Sequence, residues 1–154
     1  MGNRPKNIGT AAETAVVRAA RTRGFPGADR LTLTGANDRG DIRLCPGVIL
    51  EVKGGQAAKT ASDTQIAAWL VETERERVNA GADVGILVTA RPGVGAPNAH
   101  RWFAHMPTGG FLTLNGARAL DDAPGTVRTT LDSALWLLRV AGYGDPTTQT
   151  GDAA

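Results

Sequence analysis

The chain has 154 residues, 42% of them apolar and 21% charged, which suits one domain with a real core and excludes a fibrous or fully disordered protein. Its apolar runs are too short to cross a bilayer, no apolar leader opens it, and Lys6 stands where myristoylation needs Ser or Thr, so the expectation is a cytoplasmic protein with no membrane contact. The net charge of +2 hides an asymmetry: residues 1–60 hold ten Lys or Arg against five acids, while residues 61–154 hold seven against ten. A first half at +5 suits a polyanionic partner. The lone cysteine, Cys45, excludes an internal disulfide.

Residues 1–7 read as a polar tail whose Arg4 and Lys6 are free to touch a phosphate backbone or simply to be solvated. From Gly9 or Thr10 to Arg23 the spacing predicts a helix stopped by Gly24, with Ile8, Ala12, Ala15, Val16, Val17, Ala19 and Ala20 on one arc. Glu13 falls inside that apolar arc, so it either answers the helix dipole or points inward at something charged. Arg30–Thr34 alternates as a first strand, and Gly35 to Gly40 forms a loop. Within that loop Asp38 sits among turn formers, where an aspartate bonds local backbone, and Arg39 either reaches a phosphate or is solvated.

The next stretch is the most informative. Asp41–Leu44 and Val48–Lys53 read as two strands turned at Cys45-Pro46-Gly47, and a three-residue loop there sets Asp41 opposite Glu51. Carboxylates paired across strands lie about 4.5–5.5 Å apart at Cβ and repel each other. A divalent cation between them reverses that sign. Lys53 shares the face of Glu51, because side chains in a strand repeat every second residue. Glu-x-Lys alone is a weak signal and also fits an ordinary same-face ion pair. Here, however, it ends the run Val48-Ile49-Leu50, whose apolarity marks a central, doubly covered strand, where a charge is expensive unless partnered.

After a Gly54-Gly55 loop, a helix is expected over 62–80, stopped by Gly81. Ile66, Trp69, Leu70 and Thr73 should lie inside, with Glu72, Glu74, Arg75, Glu76 and Arg77 outside. Ser62-x-x-Gln65 fits a capping box in which Gln65 bonds back to the Ser62 amide; Gln65 is also a secondary candidate for the site. Val84–Val88 and Arg101–Met106 read as strands. The loop between them holds Gly93-x-Gly95 without the strand-turn-helix context of a phosphate site, so no nucleotide cofactor is expected. His100 and His105 lack zinc-site spacing. Phe111–Leu114 reads as a short edge strand, Thr126–Ala141 as a strongly apolar helix capped by Gly142, and residues 145–154 as a disordered tail.

The order helix with Glu13, strand with Asp41, Pro-Gly turn, Glu51-Val-Lys53, helix, strand resembles the PD-(D/E)XK nuclease superfamily. Within it the chain looks most like the archaeal-type Holliday junction resolvases. The likeness is carried by the basic N-terminal segment, the Glu13 helix, Gly-Asp41-Ile, Ile-Leu-Glu51-Val-Lys53, Gly-Ile-Leu-Val88 and Arg101-Trp-Phe103, and spans about residues 4–106. Gly40 replaces the proline of the family name.

The resemblance implies an α/β fold with a restriction-endonuclease-like core, a mixed central sheet flanked by helices, and an additional C-terminal helix. Residues 1–144 would then form one nuclease domain, with a core over 8–106 and an extension over 107–144. It further implies a magnesium-dependent homodimer that cuts four-way DNA junctions; the apolar 126–141 helix offers surface for a second copy.

In that setting Asp41 and Glu51, with the Val52 carbonyl, would hold Mg²⁺ or Mn²⁺, Glu13 directly or through water, and Lys53 would orient water or neutralise charge. Arg4, Lys6 and Arg39 are the DNA-contact candidates. Two other readings stay open: a restriction-like or repair nuclease acting on linear or damaged DNA, and a non-catalytic DNA-binding module.

Overall fold

The structure, a computed structural model, describes residues 4–32, 39–116 and 123–147, with side chains from Lys6 onward. Among the described residues the protein is α/β, with helices flanking a six-stranded mixed sheet whose strands lie in sequence order. Helix α1 (Arg4–Arg21) precedes β1 (Asp29–Arg30), β2 (Ile42–Cys45) and β3 (Val48–Lys53). Two helices follow, α2 (Gly55–Lys59) and α3 (Asp63–Ala80), before β4 (Val84–Thr89). A 3₁₀ helix (Ala96–Arg101), β5 (Phe103–Pro107), α4 (Thr108–Leu114), β6 (Thr126–Thr130) and α5 (Leu131–Val140) complete the order. The pair β3–β4 is parallel and every other neighbouring pair antiparallel.

Strand alternation sorts the core into two layers. Val48, Leu50 and Val52 of β3, with Ile86 and Val88 of β4, belong to the apolar cluster shared with α1, the 3₁₀ helix and α5. Its bulk comes from Val16, Phe25, Ile42, Leu44, Met106, Leu131, Leu135 and Leu138, all under 2% exposed. The opposite layer holds Ile49, Glu51 and Lys53 under α3; a Cβ on Gly85 would touch Thr73, Arg77 and Ile49 there.

Several expectations need correcting. Helix α1 starts at Arg4 rather than Gly9. Proline suits the first turn of a helix, since its missing N–H has no helical partner there, so Pro5 does not exclude residues 4–8. The first strand covers only Asp29–Arg30; Leu31 adds one amide bond to Asp41 O, and residues 33 and 34 lie outside the described residues. Gly54-Gly55 leads directly into α2, not a loop. Phe111–Leu114 belongs to helix α4, because Leu-Thr-Leu fits either period and the backbone bonds of Asn115 and Gly116 close helical turns.

Thr126–Thr130 is a strand, not the start of a helix. Four of its five residues are β-branched, and Thr130 then caps α5 by accepting a bond from Ser133 N at 3.2 Å. β6 pairs with β5 from Phe103–Thr130 to Pro107–Thr126, and α5 buries Leu131, Ala134, Leu135 and Leu138, so both pack onto the sheet. Asp145 and Pro146 do not trail free. Asp145 N donates to Gly24 O at 2.7 Å, and Arg139 donates to both their carbonyls. Residues 148–154 lie outside the described residues.

Candidate active site at the end of the hairpin

The site is set by the turn. Pro46 and Gly47 form its centre, with Gly47 at φ 88°, a conformation that disfavours any side chain. Cys45 faces Val48, a bulge at Leu44 shifts the ladder, and Ile42 then faces Leu50. Continued by one residue, that register levels Asp41 with Glu51. Asp41 N donates to Leu50 O at 3.0 Å, and Val52 N donates to Asp41 Oδ2 at 2.8 Å. Asp41 thus closes the end of the β2–β3 ladder with its own carboxylate.

Glu51 is 5% exposed. Its Oε1 accepts from Lys53 Nζ at 2.9 Å, while Oε2 has no hydrogen-bond partner among the described residues. Burial first, and then the neighbouring Glu76, push the Glu51 carboxyl up to about 8. Burial and the charge of Glu51 push Asp41 up to about 7; Glu51 is within hydrogen-bonding reach of it, and Glu13 adds a smaller repulsion. Around neutral pH the two acids therefore resist carrying two full charges. Burial pulls the Lys53 ammonium down, but Glu51, Glu72 and Asp41 more than offset it, and the net direction is up, so Lys53 stays charged.

Lys53 is held from several sides. Besides Glu51, it pairs with Glu72 Oε2 at 3.4 Å and lies 5.7 Å from the centre of the Trp69 ring. The approach of α1 depends on Gly54: a Cβ there would stand 2.6 Å from that of Ala12. This closeness brings Glu13, one residue beyond Ala12, to the site's edge.

Glu13 does not complete an acid trio. Its Oε2 takes a 2.6 Å bond from Arg30 Nε, an ion pair between α1 and β1. Among the described residues no group of three or more His, Cys, Asp or Glu side chains is placed to hold a metal ion. The structure thus brings Asp41, Glu51 and Lys53 together, with the Val52 main chain bonded to Asp41, and sets Glu13 beside them turned to Arg30.

Gln65 sits in the exposed first turn of α3. Its amide donates to Ser62 Oγ at 3.2 Å, the forward half of the expected capping box. Lys6 is exposed on the first turns of α1, and Arg39 is exposed just before Gly40. The Arg4 side chain and all of Asp38 lie outside the described residues.

The expectation that Glu76 faces solvent is overturned: it is 6% exposed. Trp69, Thr73 and Glu76 follow the i, i+4, i+7 spacing of one helical face, so the inner stripe itself carried this signal. Glu72 is exposed but bound to Lys53. His105 is buried and bonded to Thr89 at 2.9 Å; burial and then Arg128 hold it down at about 4, a neutral imidazole. Compared with models of protein families, with curated proteins and with solved structures, the chain finds no match.

Proposed function

We propose that the chain is a metal-dependent endodeoxyribonuclease with a restriction-endonuclease-like core, acting on branched DNA such as four-way junctions. The observation that carries this reading is the convergence of Asp41, Glu51 and Lys53 at the end of β3, with a buried Glu51 oxygen left without a donor. Two carboxylates that repel each other beside such an orphaned oxygen are a donor set for a hard cation. Asp41, Glu51 and the Val52 carbonyl would hold it, and Glu13 would join directly or through water on leaving Arg30. Bound there, Mg²⁺ or Mn²⁺ supplies Lewis-acid polarisation of the scissile phosphate.

The protein's own groups do the rest. Asp41 is fixed by the Val52 amide and Glu51 by Lys53, so neither has to reorganise when substrate arrives. With Glu51 and Glu72 paired to it, Lys53 keeps one further N–H, for a phosphate oxygen or for the attacking water, and its charge offsets that which develops as the P–O bond breaks. The preference for branched DNA rests on the resemblance of residues 4–106 to the junction resolvases, which also suggests a homodimer. Trp136 and Val140, exposed one turn apart on α5, offer surface for a second copy.

The test is cleavage of a synthetic four-way junction and of a matched linear duplex, each with Mg²⁺ and with EDTA. Magnesium-dependent cutting of the junction supports the reading, and turnover by the wild type in EDTA overturns it. Preference for the linear substrate would move the protein to the restriction-like or repair nucleases. One observation favours a second reading, a non-catalytic DNA-binding module: Glu13 is engaged by Arg30 and no acid trio forms. Calorimetry with no divalent-cation signal would select it.

A further inference from the structure

The end of the sheet that carries Lys53 continues into a second polar cluster. Register defines two rows on the α3 side: Glu51, Leu87, His105 and Arg128 in one, and Lys53, Thr89, Phe103 and Thr130 in the next. At the far end of these rows stands the half-buried ring of Phe103, with the Arg91 guanidinium 4.7 Å from its centre and that of Arg128 4.4 Å away. The two cations therefore lie within about 9 Å of each other. Arg101, exposed, lends its carbonyl to Arg91 at 3.4 Å.

Among the described residues none of these three arginines forms an ion pair with an acid. Arg18, Arg39, Arg43, Arg75 and Arg139 likewise show no ion pair among the described residues, so what sets Arg91 and Arg128 apart is that both lie over one ring. Stacking on a ring orients a guanidinium while leaving its edge N–H donors directed outward, the arrangement that grips a phosphate in two places. Like charges gathered without an acid repel each other, and an incoming anion reverses that.

We infer that Arg91 and Arg128, braced on Phe103, hold the phosphate backbone of the DNA strand that leaves the cleavage site. This rests on the nuclease reading of Asp41, Glu51 and Lys53 and adds the direction in which the strand runs. Neighbouring strands lie about 4.8 Å apart, so Phe103 is about 10 Å from Lys53 along its row and Arg128 about 14 Å from Glu51 along the other. Successive phosphates of one strand lie about 6–7 Å apart, a longer path than the axial rise, so the cluster meets the backbone roughly two nucleotides from the scissile bond. The contact is made to phosphate and carries no sequence preference.

The experiment compares wild type with Arg91→Gln/Arg128→Gln and with Phe103→Leu, using a fluorescently labelled junction and duplex. Anisotropy is read over a range of salt, cleavage in Mg²⁺ alongside, and divalent binding by calorimetry. Expected is a loss of DNA affinity of about tenfold in the double arginine variant and a fall of about 1.8 in the slope of log K against log salt, two contacts' worth. Mg²⁺ binding should be unchanged, and Phe103→Leu should give a smaller loss in the same direction. Substrates cut back to one nucleotide beyond the scissile bond on that side should lose the difference between wild type and variant.

Unchanged affinity and salt slope in a folded double variant, with wild type still cutting DNA, overturns this inference and leaves the nuclease reading intact. Arginine-dependent binding by a wild type that never cuts overturns the nuclease reading and leaves the surface standing. A wild type that neither binds nor cuts overturns both.

Discussion

The two faces of β3 are made from alternate residues of one strand and do opposite work. Val48, Leu50 and Val52 fill the larger apolar layer under α1, where each is 5% exposed or less. Ile49, Glu51 and Lys53 begin as core and end in charge beneath α3, where one acid is buried beside a second and a third approaches from the helix. Nothing in packing requires the second face to be polar. An apolar residue of Glu51's size would avoid the desolvation of a carboxylate, so the face trades stability for a charge pattern.

Neighbours on the strand should separate cleanly. Glu51→Gln should lower Mg²⁺-dependent cleavage by about 10³-fold, with DNA affinity and folding nearly unchanged. Activity assays beside anisotropy and urea unfolding check this; a variant that cuts normally breaks the contrast between the faces. Leu50→Ala, on the fully buried face, should cost about 3–4 kcal/mol in urea unfolding while preserving metal binding in whatever fraction stays folded.

Protonation sharpens the same contrast, since three buried groups pull in two directions. Asp41 and Glu51 have folded values raised to about 7 and about 8. Their contribution to stability is complete below the ordinary carboxylate range and is lost as pH rises through 7 to 8. His105 is depressed to about 4, so its contribution is present above 6.5 and is lost as pH falls toward 4. The shift on His105 is worth about 3 kcal/mol. Two acids outweigh one imidazole, so from these three groups metal-free protein should be most stable near about pH 4 to 4.5 and lose stability toward pH 8, with Mg²⁺ raising the melting temperature more at pH 8 than at pH 5.5. A Mg²⁺ effect independent of pH would remove the two acids from the metal site.

Smaller effects follow from the supports. Gly54→Ala forces a Cβ to 2.6 Å from Ala12 and should cost about 1–3 kcal/mol, with activity falling further than stability alone explains, because Glu13 moves with α1. Thr130→Ala removes the α5 cap and should cost about 1 kcal/mol while leaving cleavage untouched, as measured by thermal unfolding.

The hairpin was legible because Pro-Gly fixes a turn locally and period two then assigns every side chain to a face. The turn itself is two residues long, not the three expected, and Asp41 still levels with Glu51 only because the bulge at Leu44, which no local pattern announces, takes up the difference. Residues 126–130 misled because Val127 and Leu131 fit the helical period of the residues after them; the β-branched run and the Thr130 cap were the better evidence. Glu76 was hidden by its charge, which suggests solvent, although its place on the Trp69–Thr73 stripe argued otherwise. The Arg30 bond to Glu13 joins residues on different elements, and no local pattern encodes it. Nor does any local pattern bring Arg91 and Arg128 to one ring, since that depends on the β4–β5–β6 register.

The sequential order of the sheet also bears on how the chain assembles. Apart from the β3–β4 pair, each strand finds its partner in the next stretch of backbone, and loop-closure entropy is modest for such pairings. Residues 41–53 can therefore zip early, pressing two acids together before α3 arrives to bury them. That early repulsion should slow refolding as pH rises through the ordinary carboxylate range, and a divalent salt in the refolding buffer should restore the rate before any tertiary structure could hold a substrate.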